Sequence, residues 1–298
     1  MDGAATGRPS HGEAGSVGRV SVTRRPRCCS CSCSRRVQPA ILEAHQPRIP
    51  GMNHFVRYPS APIKPVHRPI MLQGWKDLTY LHWPYDPDVV QQRLPAGLEV
   101  DTFGEKAWVG LVAFQMERIR LPGTPGVPYF GTFPETNVRT YVVDRDGRPG
   151  VWFDSLDVTR LLPVLVARST YRLPYMWSKM AIVRNGPRLS YTANRRWPGR
   201  RGAISSFTIR SGDLIRDSDV SPLEHFLTAR WGLYTRLRDR LAYAPVDHPP
   251  WPLERASLEQ LDDQLVEAAG YPEPDGEPLV HYSPGVDVRI GLPRAVGP

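Results

Sequence analysis

The sequence predicts an α+β fold, mainly β, in which one large antiparallel sheet curls into a β-barrel carrying a few peripheral helices. Three observations lead there. Many short runs alternate with a two-residue period, several of them are joined by brief Gly-containing turns, and their order along the chain does not alternate strand and helix as a parallel sheet requires. A sheet of this extent tends to close on itself, because closure removes exposed edges and encloses a cavity when the barrel is wide enough.

From Leu78 the chain places Leu78, Tyr80 and His82 on one face and Thr79, Leu81 and Trp83 on the other, which is a strand. Asp86 before Pro87 supplies a cap and a first-turn proline for a short helix with Val89, Val90 and Leu94 apolar, ending near Pro95 and Gly97. Leu98 to Thr102 and Ala107 to Phe114 read as a hairpin turning at Phe103 to Lys106. Val138 to Val143 with Val151 to Leu156, and Ile182 to Val183 with Leu189 to Thr192, repeat the pattern around Gly147 and Gly186, and Ala203 to Ile209 adds a strand. Thr159 to Tyr171 suits a helix, with Pro163 confined to its first turn. Ser221, Pro222 and Glu224 spell a capping box, and Ser257 is expected to open a last helix with Leu258, Leu261, Leu265 and Val266 inward and Gly270 as its stop.

Charge divides the chain. Up to Arg68 there are eleven Lys and Arg against three acids, while the remainder holds twenty-seven of each, so the net charge of +8 belongs to the leader. Residues 1–70 are expected to be a basic, disordered leader, too poor in apolar periodicity to offset the entropy of ordering, and 71–298 a single domain. Met52 and Met71 are alternative starts, and deletion of the leader is expected to leave folding intact. A charge-balanced domain gives no footprint for specific nucleic acid binding. The cysteines, Cys28, Cys29, Cys31 and Cys33, crowd into the leader without a second separated pair, which argues against a zinc site and leaves the domain without disulfides. No run of eighteen apolar residues and no secretory signal is present, so a cytoplasmic protein without a membrane span is expected; the leader's Arg and Ser content also resembles a transit peptide.

Asp77-Leu-Thr-Tyr-Leu-His-Trp-Pro84, Leu94-Pro-Ala-Gly-Leu98, Ala107-Trp-Val-Gly-Leu111, Phe133-Pro-Glu-Thr-Asn-Val-Arg-Thr-Tyr141 and Gly150-Val-Trp-Phe153 resemble, in order, the YqjF-like family of uncharacterised bacterial proteins, domain-of-unknown-function family 2071. Leu173-Pro-Tyr175, Ser221-Pro-Leu-Glu-His-Phe-Leu-Thr228, His248-Pro-Pro-Trp-Pro-Leu253 and Leu279-Val-His-Tyr-Ser283 extend the likeness over residues 71 to 295. The family is more distantly similar to acetoacetate decarboxylase, a cone-shaped antiparallel barrel around a small apolar cavity. That resemblance implies fold more than function, since chemistry lives in the site.

The distant relative uses a lysine amine that forms a Schiff base with a ketone. The resemblance puts Lys179 on the corresponding strand, but Met180 stands where the relative has a second lysine to depress the amine's pKa. Lys179 is therefore either that nucleophile or a solvated strand lysine. Glu135 lies in a segment resembling the one that places a pocket carboxylate, and Arg139 and Tyr141 share its strand face by their spacing. Glu135 is a candidate general acid or base and Arg139 a candidate anion clamp, unless the two pair with each other. Tyr141, Trp152 and Tyr175 are candidate ligand-binding aromatics, with core packing as the alternative for each. His82, His225, His248 and His281 lack metal-ligand spacing and read as packed or surface histidines.

These residues leave two function classes open. A binding module would hold a small apolar or carboxylate-bearing molecule, without cofactor or metal. A lyase or hydrolase acting on a small keto acid would need Lys179, Glu135 and Arg139 in one cavity. A homo-oligomeric structural protein is the third reading, since the distant relative assembles.

Overall fold

The computed structural model describes residues 58–62, 64–126, 131–160, 173–237 and 239–297. All of them fall in the second of the two units into which the chain divides, Glu43–Pro298. Thirteen strands account for most of these residues: β1 (Met71–Tyr85), β2 (Leu98–Val100), β3 (Ala107–Arg120), β4 (Phe133–Asp144), β5 (Pro149–Val158), β6 (Tyr175–Asn185), β7 (Arg188–Trp197), β8 (Ile204–Leu214), β9 (Gly232–Leu237), β10 (Arg240–Asp247), β11 (Glu254–Asp263), β12 (Leu279–Ile290) and β13 (Arg294–Ala295). Three short helices among the described residues, α1 (Pro87–Gln91), α2 (Pro222–Thr228) and α3 (Leu265–Ala268), cover the sheet.

Nine strands, β1, β3, β4, β5, β6, β7, β8, β11 and β12, close into a barrel. The closure has a branch. One edge of β5 pairs in parallel with β6 through Leu156 to Val158 and with β9 through Val151 and Trp152, while β12 pairs with β11 through His281 and Tyr282 and with β10 through Arg289 and Ile290. Strands β9 and β10 thus link β5 to β12 by a second route, and β12, β1, β3, β4 and β5 become a wall common to two circuits.

A wall shared in this way is buried on both faces, so its strands are apolar almost throughout instead of alternating. On one face Leu81, Trp83, Leu111 and Val138 pack with Leu189, Tyr191, Phe207 and Ile209 inside the nine-strand barrel, closed by Leu265 and Val266 of α3. On the other, Tyr80, Val112, Phe114 and Phe133 pack under Trp251, and Tyr141 packs under Phe226 and Leu227 of α2. The helix is set by a complete capping box: Ser221 Oγ accepts from the Glu224 amide at 3.2 Å and Glu224 Oε2 from the Ser221 amide at 2.6 Å.

Three expectations change. Leu98 to Val100 pairs with β4, not with β3, so the first hairpin does not form. The sheet is mixed, because β5 runs parallel to both β6 and β9. The helix expected from Ser257 is strand β11, and only Leu265–Ala268 is helical. A register shift between Leu258 and Gln260 puts Leu258 and Leu261, three residues apart, on the same apolar core, imitating helical spacing. The expected helix at Thr159 to Tyr171 lies largely outside the described residues.

The leader boundary also moves. Tyr58 and Val66 are buried, Tyr58 Oη donates to both Asp101 carboxylate oxygens at 2.9 Å, Trp231 Nε1 donates to the Pro59 carbonyl at 2.8 Å, and the Val66 amide donates to Asp247 Oδ2 at 2.9 Å. The stretch from Tyr58 onward is therefore part of the folded unit, and the remainder of the leader lies outside the described residues. Removing residues up to Met71 would uncover Asp101, which is paired with the buried Arg230 at 2.7 Å. Starting the protein at Met71 should lower the melting temperature by at least about 4 °C in a thermal melt, and starting it at Gly51 should not.

Candidate functional site

The second face of the shared wall carries the polar residues. Reading across the ladders, His281 on β12 faces Tyr80 on β1, then Val112 on β3, Asn137 on β4, Leu156 on β5 and Tyr175 on β6. The next row runs Leu279, His82, Gly110, Arg139 and Phe153, and on the far side of Asn137 another brings together Phe114, Glu135, Val158 and Trp177. Paired residues share a face, so Tyr80, His82, Glu135, Asn137, Arg139, Tyr141 and Tyr175 converge. Gly110 is required in its row: a Cβ there would lie 2.8 Å from the His82 ring, which occupies the space the glycine leaves.

Arg139 Nη2 donates to Tyr141 Oη at 3.3 Å, and its guanidinium lies 5.6 Å from the centroids of the Tyr80 and Tyr141 rings. Tyr141 Oη and His82 Nε2 are hydrogen-bonded at 2.6 Å, the donor being set by the His82 tautomer. His82 is neutral, its pKa held well below the usual histidine value by burial and then by the charges of Arg139 and His281. Its Nδ1 has no hydrogen-bond partner.

Glu135 is buried beside Asn137, whose Nδ2 donates to Glu135 Oε1 at 3.4 Å. Burial pushes the Glu135 carboxyl up to about 8, with the charge of Asp157 adding to it and the Asn137 hydrogen bond opposing it. It is thus protonated at neutral pH. With Oε1 accepting, the proton belongs on Oε2, which is also unpartnered. Tyr80 Oη, Asn137 Oδ1 and Arg139 Nε complete a set of five buried atoms without hydrogen-bond partners on one face. Such groups are normally satisfied, and leaving one unmade costs about 1–3 kcal/mol.

The arrangement is a cluster of unpartnered polar groups around a cation. Arg139 forms no ion pair among the described residues, so the expected Glu135–Arg139 pair is not made; the two Cα atoms stand roughly 13 Å apart along β4 with Asn137 between them. Among the described residues, Arg195 is paired with Asp157 at 2.6 Å on the opposite face and Arg230 with Asp101, and His281 Nε2 is hydrogen-bonded to Glu224 Oε1 at 2.7 Å. Chemically, the site offers N–H and O–H groups and a positive charge to an anion carrying several acceptor oxygens.

Of the residues singled out from sequence, Glu135, Arg139, Tyr141 and Tyr175 are brought together. Glu135 and Tyr141 are buried and Arg139 is half-buried. Trp152 is not with them: it pairs with Thr140 and packs with Leu98, Val142 and Tyr234 on the other face of the sheet. Lys179 is exposed on β6, opposite Asn194 in the ladder, and no contact joins it to Glu135. Tyr80, His82 and Asn137 are the participants that sequence reasoning missed. The alternation of Tyr80 and His82 on β1 was the available signal, since both face the same side as Leu78. Among the described residues no cluster of three His, Cys, Asp or Glu is disposed to hold a metal.

A family model for the uncharacterised conserved proteins of DUF2071 matches residues 72–287. The chain belongs to the DUF2071 family. It is 34% identical over 219 residues to YqjF of Bacillus subtilis, also described as uncharacterised, covering 74% of this chain and 89% of that one. The DUF2071 chain shares its fold with an acetoacetate decarboxylase-like enzyme of Sphingomonas wittichii RW1, at a TM-score of 0.54 and 15% identity over 76% of this chain and 92% of that one. The enduracididine biosynthesis enzyme MppR, solved with pyruvate, superposes at 0.55 and 17% identity over 79% and 92% of the two chains. Acetoacetate decarboxylase of Legionella pneumophila does so at 0.51 and 14% identity over 83% and 97%. These last three likenesses establish the barrel architecture and nothing about residues.

The raised Glu135 pKa links stability to pH. The unfolded carboxyl titrates near 4.5 and the folded one near 8, so the stability present below pH 4.5 is lost progressively up to about pH 8 and no further above it. Between pH 6.5 and 8 the Glu135 contribution to stability should fall with pH, and Glu135→Gln should remove that part of the melting-temperature slope while leaving the opposing contribution of His82, neutral in the folded protein, in both. An unchanged slope in the variant would place the proton elsewhere.

Proposed function

We propose that this protein binds a small 2-oxo acid on the Tyr80–His82–Glu135–Arg139 face. The observation that carries the reading is the set of unpartnered polar atoms around a guanidinium that has no ion pair among the described residues. A carboxylate on Arg139 would neutralise a cation that has no counterion among the described residues, and Tyr80 Oη, protonated Glu135 Oε2 and, in its Nδ1–H tautomer, His82 can donate to further oxygens. A neighbour of the same fold, MppR, was solved with pyruvate, a ligand of this chemical class.

A catalytic reading, lyase or hydrolase on a keto acid, draws support from Glu135, a carboxylic acid kept protonated to about pH 8 beside the bound carbonyl in this scheme. The Schiff-base variant does not, because its nucleophile would be Lys179, which is exposed. Borohydride added with pyruvate should leave no adduct on Lys179 by mass spectrometry; an adduct there would restore that chemistry.

Calorimetry with pyruvate tests the binding itself. Arg139→Ala should weaken it at least about 30-fold, as loss of a partner in a desolvated charge pair does. Glu135→Gln, which keeps a donor, should retain most affinity at pH 7. The parent's affinity should drop above about pH 8, where Glu135 ionises and repels the ligand, and the Glu135→Gln variant should lose this dependence. Equal affinity in the parent and Arg139→Ala would end the reading.

A further inference from the structure

Asn137 stands between Glu135 and Arg139 on the same face of β4 and is 3% exposed. Its Nδ2 donates to Glu135 Oε1 at 3.4 Å, and its Oδ1 has no partner among the described residues. An amide oxygen only accepts, so nothing but an N–H or O–H group can satisfy it. Turning the amide over does not remove the requirement. Oδ1 would then accept from the protonated Glu135 carboxyl, and the other Glu135 oxygen would become the acceptor without a donor.

Pyruvate carries acceptor oxygens and no donor. Seated with its carboxylate on Arg139, it answers the unpartnered donors of the face but leaves this buried acceptor unmet, at a cost of about 1–3 kcal/mol. Asn137 lies two residues from Arg139, roughly 7 Å along the strand, and as far from Glu135. A ligand group bonded to it therefore sits on the carbons that follow the carboxylate. A hydroxyl both donates and accepts, so it suits either orientation of the amide. An ammonium would also donate, but it would add a second charge to a desolvated site, and a hydroxyl adds none.

We infer that the ligand is a hydroxylated 2-oxo acid whose hydroxyl, on the carbon next to the carbonyl or on the one after it, donates to Asn137 while the carboxylate lies on Arg139. This rests on the oxo-acid reading above and narrows it. Asn137 is then the residue that tells such an acid from its unsubstituted analogue. A site built to bond a hydroxyl rejects the analogue without one, because the buried acceptor is left unpaired.

The test is calorimetric titration of the full chain with near-isosteric pairs, 3-hydroxypyruvate against 2-oxobutanoate and 4-hydroxy-2-oxobutanoate against 2-oxopentanoate, each pair exchanging a hydroxyl for a methyl. In at least one pair the hydroxylated acid should bind about tenfold or more tighter than its partner. Asn137→Leu, of similar size and without an acceptor, should bring that ratio to about one; a general loss of affinity in the variant cancels in the ratio. Asn137→Ala takes its place should the leucine variant fail to give a cooperative melt. Ratios near one for both pairs in the parent, as a water held on Asn137 Oδ1 would produce, or a preference that survives in a folded Asn137 variant, would overturn the hydroxylated ligand while sparing the oxo-acid reading. Binding by none of the four acids would instead remove that reading, and this inference with it.

Discussion

Burial of one wall of strands on both faces is the constraint from which the remaining features follow. Because β5 and β12 each divide an edge between two neighbours, β12, β1, β3, β4 and β5 separate two packed interiors. Neither face can discard a polar side chain into water. Each such group must be paired within the fold, kept neutral, or left for something the fold does not itself contain.

The two faces meet this constraint differently. On the nine-strand barrel side, Asp157 accepts from Arg195 Nε at 2.9 Å and Nη2 at 2.6 Å, and from Ser178 Oγ at 2.6 Å, while Ser155 Oγ takes a further Arg195 contact at 3.1 Å. That is a closed network. On the other side Glu135 is neutralised by burial, His82 likewise, and Arg139, which cannot be neutralised, has only a phenol and two aromatic faces for company. A structural role for Arg139 would have been met by an ionised Glu135 brought into contact. The placement of Asn137 between them keeps carboxyl and guanidinium apart.

Much of this was legible in the sequence, because a two-residue period is a strong signal once a strand is recognised. Glu135, Arg139 and Tyr141 could be put on one face from spacing alone, and the structure has them there. Bulges set the limit of such reading. The register shift in β11 made Leu258 and Leu261 look helical, and the shift between Val138 and Arg139 offsets β4 against β5. Trp152 lies opposite Thr140 on the far face, a pairing no local pattern reveals. The branch at β5 and β12 was equally hidden, since it depends on which halves of two long strands find which partners. Tyr58 and Val66 were assigned to an unfolded leader because net charge and missing periodicity describe a stretch as a whole. Individual docked side chains are invisible at that level.

A barrel of this architecture does not oblige its owner to use an amine nucleophile. On β6, Ser178, Met180 and Ile182 turn into the nine-strand barrel, whereas Lys179 alternates with Tyr175 and Trp177 but lies beyond the rungs that β6 shares with β5 and is exposed, so a lysine can lie on this strand and still be left outside the site. What the opposite face of the wall retains is a proton on Glu135 and a charge on Arg139, separated along a strand and flanked by the phenols of Tyr80 and Tyr141. A 2-oxo acid presents the complementary order, an anion at one end and a neutral acceptor next to it. In the proposed mode of binding, the carboxylate offsets the desolvated guanidinium and the Glu135 proton is shared with the carbonyl oxygen. That proton is available only while the carboxyl stays neutral. The burial that raises the Glu135 pKa is therefore the same property that would let the site hold an anion at neutral pH, and it follows from the double-faced wall on which the residue stands.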